Sequence, residues 1–243
     1  MKYRIRVAFD GRDFSGYQFQ PGRRTVQGEL TKAAETLFGE CSVTGCSRTD
    51  AGVHATGFVA SIETASGSVP ADKLPLAMNS LLPEDIAVTD ASVAPGGFHP
   101  RYDAKGKHYR YLISDSRLRD PLLRGRAWQI HTPLDVDLMN ESAQILVGEH
   151  DFAAFCAAGA AVKSTVRTIF DIKVRREGGA VTVDVYGNGF LYNMVRIIVG
   201  TLVYVSQGKL TDDDIRKLLE TGDRTAAGIT APPDGLYLAE VYY

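Results

Sequence analysis

Asp50 stands in the stretch Cys46-Ser47-Arg48-Thr49-Asp50-Ala51-Gly52-Val53-His54-Ala55, with an arginine two residues before it and a glycine two residues after it. An apolar approach from Cys41 to Cys46 leads in, and an alternating run resumes at Gly57-Phe58-Val59-Ala60-Ser61-Ile62. The acid therefore sits at the tip of a connection between two strands, where Gly52 permits a tight turn or a close approach to a ligand. A carboxylate held on a rigid scaffold can work as a nucleophile or general base. The competing reading is an aspartate that stabilises its own turn. In Lys107-His108-Tyr109-Arg110-Tyr111 the alternation puts Tyr109 and Tyr111 on one face of a strand and His108 and Arg110 on the other. A tyrosine there can stack on a substrate ring or act through its hydroxyl; otherwise the two are core tyrosines. Arg196 falls in an apolar run, among Leu191, Met194, Val195, Ile198 and Val199. A charge in that setting is costly without a partner. It either meets a carboxylate or phosphate or reaches out to solvent.

His54, His99, His108 and His150 lack the helical spacing of a metal motif, so no metal is expected. The glycines at 187 and 189 are too few and wrongly ordered for a dinucleotide site, and no cofactor is expected.

The elements that must position these residues read as follows. Lys2 to Phe9 alternates as a half-buried strand, and Asp10-Gly11-Arg12-Asp13 is a turn. Phe14 to Gln20 is an aromatic, polar loop beside Arg12, Arg23 and Arg24, suited to stacking on nucleobases or to covering the end of a sheet. Thr25 caps a helix to about Phe38, ended by Gly39. After the Asp50 hairpin, Pro70 opens a helix through Leu74, Met78 and Leu81, and Ile86 to Val93 is a strand. Strand, helix, strand, strand, helix, strand is the ferredoxin-like order. Pro95-Gly96-Gly97 breaks it, and a boundary near 100–107 separates residues 1–104 from 105–243. The second half repeats the theme: strand 108–113, helix 135–147, a hairpin of 166–175 and 180–186, a helix from Leu191 to about Ser206, a helix from Asp212 to Glu220 and a closing strand from Leu236 to Val241. The fold class is thus α+β, two ferredoxin-like halves built on mainly antiparallel sheet.

The chain has 243 residues, 44% hydrophobic and 23% charged, as in a globular protein. No apolar run is long enough to span a bilayer, and Lys2, Arg4 and Arg6 stand where a signal peptide needs an apolar block. A cytoplasmic protein away from membranes is expected. Cys41, Cys46 and Cys156 suggest small buried hydrophobes rather than a disulfide framework. The formal net charge is −2, but it is unevenly spread. Lys2, Arg4, Arg6, Arg12, Arg23 and Arg24 crowd the first segment, and residues 96–130 carry Arg101, Lys105, Lys107, Arg110, Arg117, Arg119, Arg124 and Arg126 against three aspartates. Such segregation suits a phosphate backbone.

Taken as a string, Arg48-Thr49-Asp50-Ala51-Gly52-Val53-His54-Ala55 resembles the signature of the A-type tRNA pseudouridine synthases, the TruA family. Similar segments run along the chain: Phe9-Asp10-Gly11, Gly16-Tyr17-Gln18, Thr25-Val26-Gln27, Phe98-His99, His150-Asp151-Phe152, Thr168-Ile169, Phe190-Leu191 with Met194-Val195-Arg196, and Ala231 to Leu238. Cys156-Ala157-Ala158-Gly159 departs from a more polar family stretch. The resemblance implies a pseudouridine synthase fold, a homodimer, and isomerisation of uridine at positions 38, 39 and 40 in the anticodon arm of tRNA. It makes Asp50 the nucleophile, or the base of a glycal route, and places Tyr109 against the target base. It pairs Arg196 with Asp50, which would keep the carboxyl ionised and fix its rotamer. Arg48 would hold the extruded nucleotide or its phosphate. Two other readings share parts of this pattern: a hydrolase of N-glycosides, which would release free uracil, and an RNA-binding module that has no use for Asp50.

Overall fold

The computed structural model describes residues 1–65, 67–159 and 162–243. The first unit takes in Met1–Lys105 and begins with β1 (Lys2–Phe9), whose alternation buries Tyr3, Ile5, Val7 and Phe9. α1 (Val26–Phe38) starts where the Thr25 hydroxyl accepts the Gly28 N–H (3.2 Å) and stops at Gly39, with φ +73°. Phe38, the last residue of the helix, turns inward and stacks on Tyr3 at 5.4 Å. β2 (Cys41–Gly45), β3 (His54–Thr64), α2 (Leu74–Asn79) and β4 (Ile86–Val93) follow. α2 begins four residues after Pro70, because Pro75 lacks an N–H and is tolerated only in a first turn. The strands lie in the order β4-β1-β3-β2, each antiparallel to its neighbour, which is the ferredoxin-like arrangement.

The second unit, Gly106–Leu236, holds β5 (Gly106–Ser114), the short β6 (Trp128–Gln129) parallel to it, α3 (Val136–Ala143), β7 (Gly148–Asp151), β8 (Val166–Glu177), β9 (Ala180–Gly187), α4 (Met194–Ser206) and α5 (Asp212–Thr221). Its strands run β5-β9-β8-β7, all antiparallel. α3 tightens into a 3-10 turn over Gln144–Leu146. α4 starts at Met194 instead of Leu191 because Asn193 takes a left-handed conformation, φ 60°, that no helix interior accepts.

The closing strand, β10 (Leu236–Tyr242), pairs in parallel with the start of β3 (Tyr237↔His54, Leu238↔Ala55). Residues 237–243 therefore group with the first unit and not with the half that precedes them in sequence. Among the described residues no helix is long and apolar enough to cross a membrane.

Candidate active site

Asp50 lies on the connection between β2 and β3. The hairpin ladder ends at Cys46, whose N–H donates to the Val59 carbonyl (2.9 Å). The Val53 N–H then donates to the Asp50 carbonyl (3.2 Å), closing a turn with Gly52 at φ +82°, the position where a type II turn needs a positive φ. Along the loop Arg48 is exposed, Thr49 buried and Asp50 half-buried.

The segment after β1 grips this loop from below. The Tyr17 N–H donates to the Thr49 carbonyl (3.0 Å), and a β-carbon on Gly16 would come within 2.6 Å of the same oxygen. One on Gly11 would come within 2.0 Å of the Val53 oxygen. The Gly11 N–H donates to Nδ1 of His54 (3.1 Å). A backbone N–H can only donate, so this nitrogen carries no proton and the neutral ring bears it on Nε2. His54 is buried and stacks on Tyr237 of β10 at 4.7 Å. Asp10 Oδ1 lies 3.3 Å from the same Nδ1, and Arg12 grips both Asp10 oxygens (2.6–3.0 Å). Burial works to raise the Asp10 carboxyl, but the hydrogen bonds and charge of Arg12 outweigh it and hold the pKa at about 2.

The aromatic loop divides its roles. Tyr17 is buried, stacks on Phe58 at 4.4 Å and covers Gly45; Phe14 is buried under the Arg24 guanidinium, 4.1 Å above its ring. Of the loop's three aromatics, only Phe19 is exposed. Arg24 is held by both oxygens of Asp85 (2.7 and 2.9 Å) and by Glu29, so part of the basic charge expected here is already neutralised. The cysteines also differ from expectation, since only Cys46 is buried while Cys41 and Cys156 are half-buried.

Tyr109 and Arg196 belong to the second unit. Tyr109 on β5 is buried and meets the Phe190 ring edge-on at 5.0 Å. Tyr111, two residues along on the same face, is fully buried and donates to the Pro232 carbonyl (2.7 Å). Burial raises its phenol far above the ordinary value, and nearby Arg196 only partly offsets this. On the opposite face His108 (2.6 Å), Arg110 (2.8 Å) and, from β8, Arg175 (3.1 Å) converge on Asp184, a fully buried carboxylate of β9. Burial pushes that carboxyl up, but the bonds from His108 and Arg110 outweigh it and the net shift is downward. Arg196, in the first turn of α4, donates Nε to the Ala231 carbonyl (2.6 Å) and a terminal nitrogen to Asn193 Oδ1 (2.9 Å). The left-handed Asn193 thus serves to aim its amide at Arg196.

Arg48 and Asp50 share the loop of the first unit, and Tyr109 and Arg196 are placed by the second. Gly11, Gly16, His54, Asn193 and Phe190 support them. The sequence marked Gly11 as part of a turn and Gly16 and His54 as parts of motif segments, but nothing in it showed that one loop packs on another. Among the described residues no three His, Cys, Asp or Glu side chains converge as metal ligands would.

Residues 5–103 and 142–243 match the family model described as tRNA pseudouridine synthase. The tRNA pseudouridine synthase A of Ruminiclostridium cellulolyticum is 48% identical over 244 residues, covering 100% of this chain and 99% of its own. That of Thermoanaerobacter sp. (strain X514) is 45% identical over 240 residues, 98% of each chain. That of Bacillus velezensis is 46% identical over 246 residues, 100% of this chain and 99% of its own. Among solved structures, a crystal structure of a Cbf5-Nop10-Gar1 complex overlaps 83% of this chain and 54% of that one, with 14% identity and a TM-score of 0.34, too slight a likeness to carry an argument.

Proposed function

Since the chain belongs to the tRNA pseudouridine synthase family, we propose that its targets are uridines 38, 39 and 40 of the anticodon arm and that Asp50 is its catalytic residue. The activity of the family is isomerisation of uridine in tRNA to pseudouridine. The bond from N1 to C1′ breaks, the uracil rotates, and C5 bonds to C1′; the proton lost from C5 is balanced by one gained at N1. No redox step or energy source is required. Asp50 attacks C1′ or removes a proton from the ribose along a glycal route. The observation that carries this assignment is the presentation of Asp50: a half-buried residue at the head of a tight turn, over glycines that leave no slack beneath it. A group held this way loses little freedom on reaching the transition state.

Arg48, exposed two residues away, holds the extruded nucleotide or its phosphate. Tyr109 packs on the base, its ring braced by Phe190. Arg196 acts on the same step as Asp50 as a positioning residue, its own rotamer fixed by Ala231 and Asn193. The working state is a homodimer in the cytoplasm, where tRNA is found. To test the function, a tRNA transcript with uridine at 38, 39 and 40 is incubated with the protein, and pseudouridine is mapped by carbodiimide adducts that stop reverse transcription. Stops at those positions with intact RNA chains are expected. Free uracil would point to an N-glycoside hydrolase, and stops elsewhere would overturn the anticodon-arm assignment.

A further inference from the structure

Between β5 and β6 the chain leaves the sheet for residues 115–127 and returns to it. Arg117, Arg119 and Arg124 are exposed there, and among the described residues none of their guanidinium groups has a carboxylate or carbonyl partner. Other arginines of the unit are engaged: Arg110 and Arg175 with Asp184, Arg176 with Asp115, Arg224 with the Gly228 carbonyl. Among the described residues neither acid of the loop pairs with Arg117, Arg119 or Arg124. Both Asp115 oxygens are taken by Arg176 at 2.7 Å, and Asp120 caps the backbone by accepting the Leu122 N–H (2.8 Å).

We propose that this loop is a tRNA backbone grip, in which Arg117, Arg119 and Arg124 bind phosphate groups and carry no chemistry. The proposal rests on tRNA being the substrate. Neighbouring guanidinium groups without an ion-pair partner repel one another, and a polyanion relieves that repulsion at several points at once. Arginine's fork of donors fits phosphate oxygens. The base of the loop is already fixed. Asp115 also accepts the Leu134 N–H (3.0 Å), Gln129 donates to the Ser116 carbonyl (2.6 Å), Ile113 pairs with Trp128, and Trp128 meets Tyr111 edge-on. A loop held at both ends gives up less entropy when it binds. Leu118 and Leu122, 81% and 82% exposed, offer apolar surface that ribose faces would cover. The loop lies between the two stretches matched by the family model, 5–103 and 142–243.

The test measures affinity of the full chain for a tRNA transcript across a salt series, with sedimentation run in parallel. Three proteins are compared: wild type, the triple variant Arg117→Ala/Arg119→Ala/Arg124→Ala, and the same three positions changed to lysine. The alanine variant should bind roughly ten- to a hundredfold more weakly at low salt, and its slope of log affinity against log salt should shrink by about two to three. The lysine variant should keep most of the slope, since the charge stays. Wild-type affinity and slope in the alanine variant would overturn the proposal. So would an unchanged slope with loss of self-association, which would make the loop a contact between protein chains. Failure of wild type itself to bind tRNA or form pseudouridine would instead remove the functional reading beneath the proposal.

Discussion

An added methyl group at Gly11 would strike the Val53 carbonyl, and one at Gly16 the Thr49 carbonyl, while Gly22 has open space around it despite a φ of +72°. Gly22→Ala therefore meets only the backbone penalty, about 1 kcal/mol. Gly11→Ala and Gly16→Ala must push the Asp50 loop away; each should cost more than about 2 kcal/mol by denaturant unfolding and also slow turnover. Equal stability losses at 16 and 22 would show that the loop yields easily. The Tyr17 hydroxyl and Thr49 Oγ1 are buried without a hydrogen-bond partner among the described residues. Leaving such a group unmade costs roughly 1–3 kcal/mol, so Tyr17→Phe should be neutral or stabilise by about 1 kcal/mol; a clearly lower melting temperature would contradict this. Arg196→Ala should lower the single-turnover rate while tRNA affinity stays within several-fold, and adding it to Asp50→Asn should cause no further loss. Additive losses would separate the two residues. Arg48, Asp50 and Tyr109 stood out as candidates through the resemblance of their segments to the family's motifs, whereas Arg196 also breaks a local pattern as a charge within an apolar run. The grip of Gly11, Gly16 and His54 was not legible, because it depends on contacts between segments some 40 residues apart.

At the scale of elements, β5 and β9 share a charge cluster whose centre is Asp184. Its carboxyl is held below the ordinary 3.8, so it binds fewer protons when folded than when unfolded. The cluster's stabilisation is complete above that value and is lost as pH falls through the lower folded one. Asp184→Ala should cost about 3–5 kcal/mol near neutral pH, because it strands His108, Arg110 and Arg175 on one another. Asp184→Asn should flatten the fall in melting temperature below about pH 4; an unaltered acid limb would mean that other carboxylates, Asp10 among them, govern it. The alternation over 107–111 foretold which residues face this cluster and which face the core, since period-two patterning survives any strand partner. Helix starts were less legible. α2 and α4 begin later than their apolar spacing suggests, because Pro75 and the left-handed Asn193 decide those ends and hydrophobic periodicity does not record them.

For the whole molecule, chain order and unit membership part company at the end. The apolar alternation of 236–241 announced a strand, but a strand's pattern does not name its neighbour, and β10 joins the first unit beside β3. There Tyr237 stacks on His54, at the foot of the Asp50 loop. A chain ending at Gly235 should lose cooperative unfolding of the first unit, and hydrogen exchange over 54–64 should rise; unchanged protection there would show that β10 is dispensable. The charge distribution likewise matters more than the sum of −2, because arginines paired within the fold, such as Arg12 and Arg24, add less to an RNA surface than those left open. On the proposed function, Asp50, fixed on its loop, carries out the isomerisation. The most direct test is release of tritium from uracil C5 of a labelled tRNA transcript by wild type and Asp50→Asn in single turnover, with tRNA affinity measured on the same samples. Release by wild type alone, with affinities within several-fold, is expected; release by Asp50→Asn at a rate near that of wild type would remove Asp50 from the chemistry.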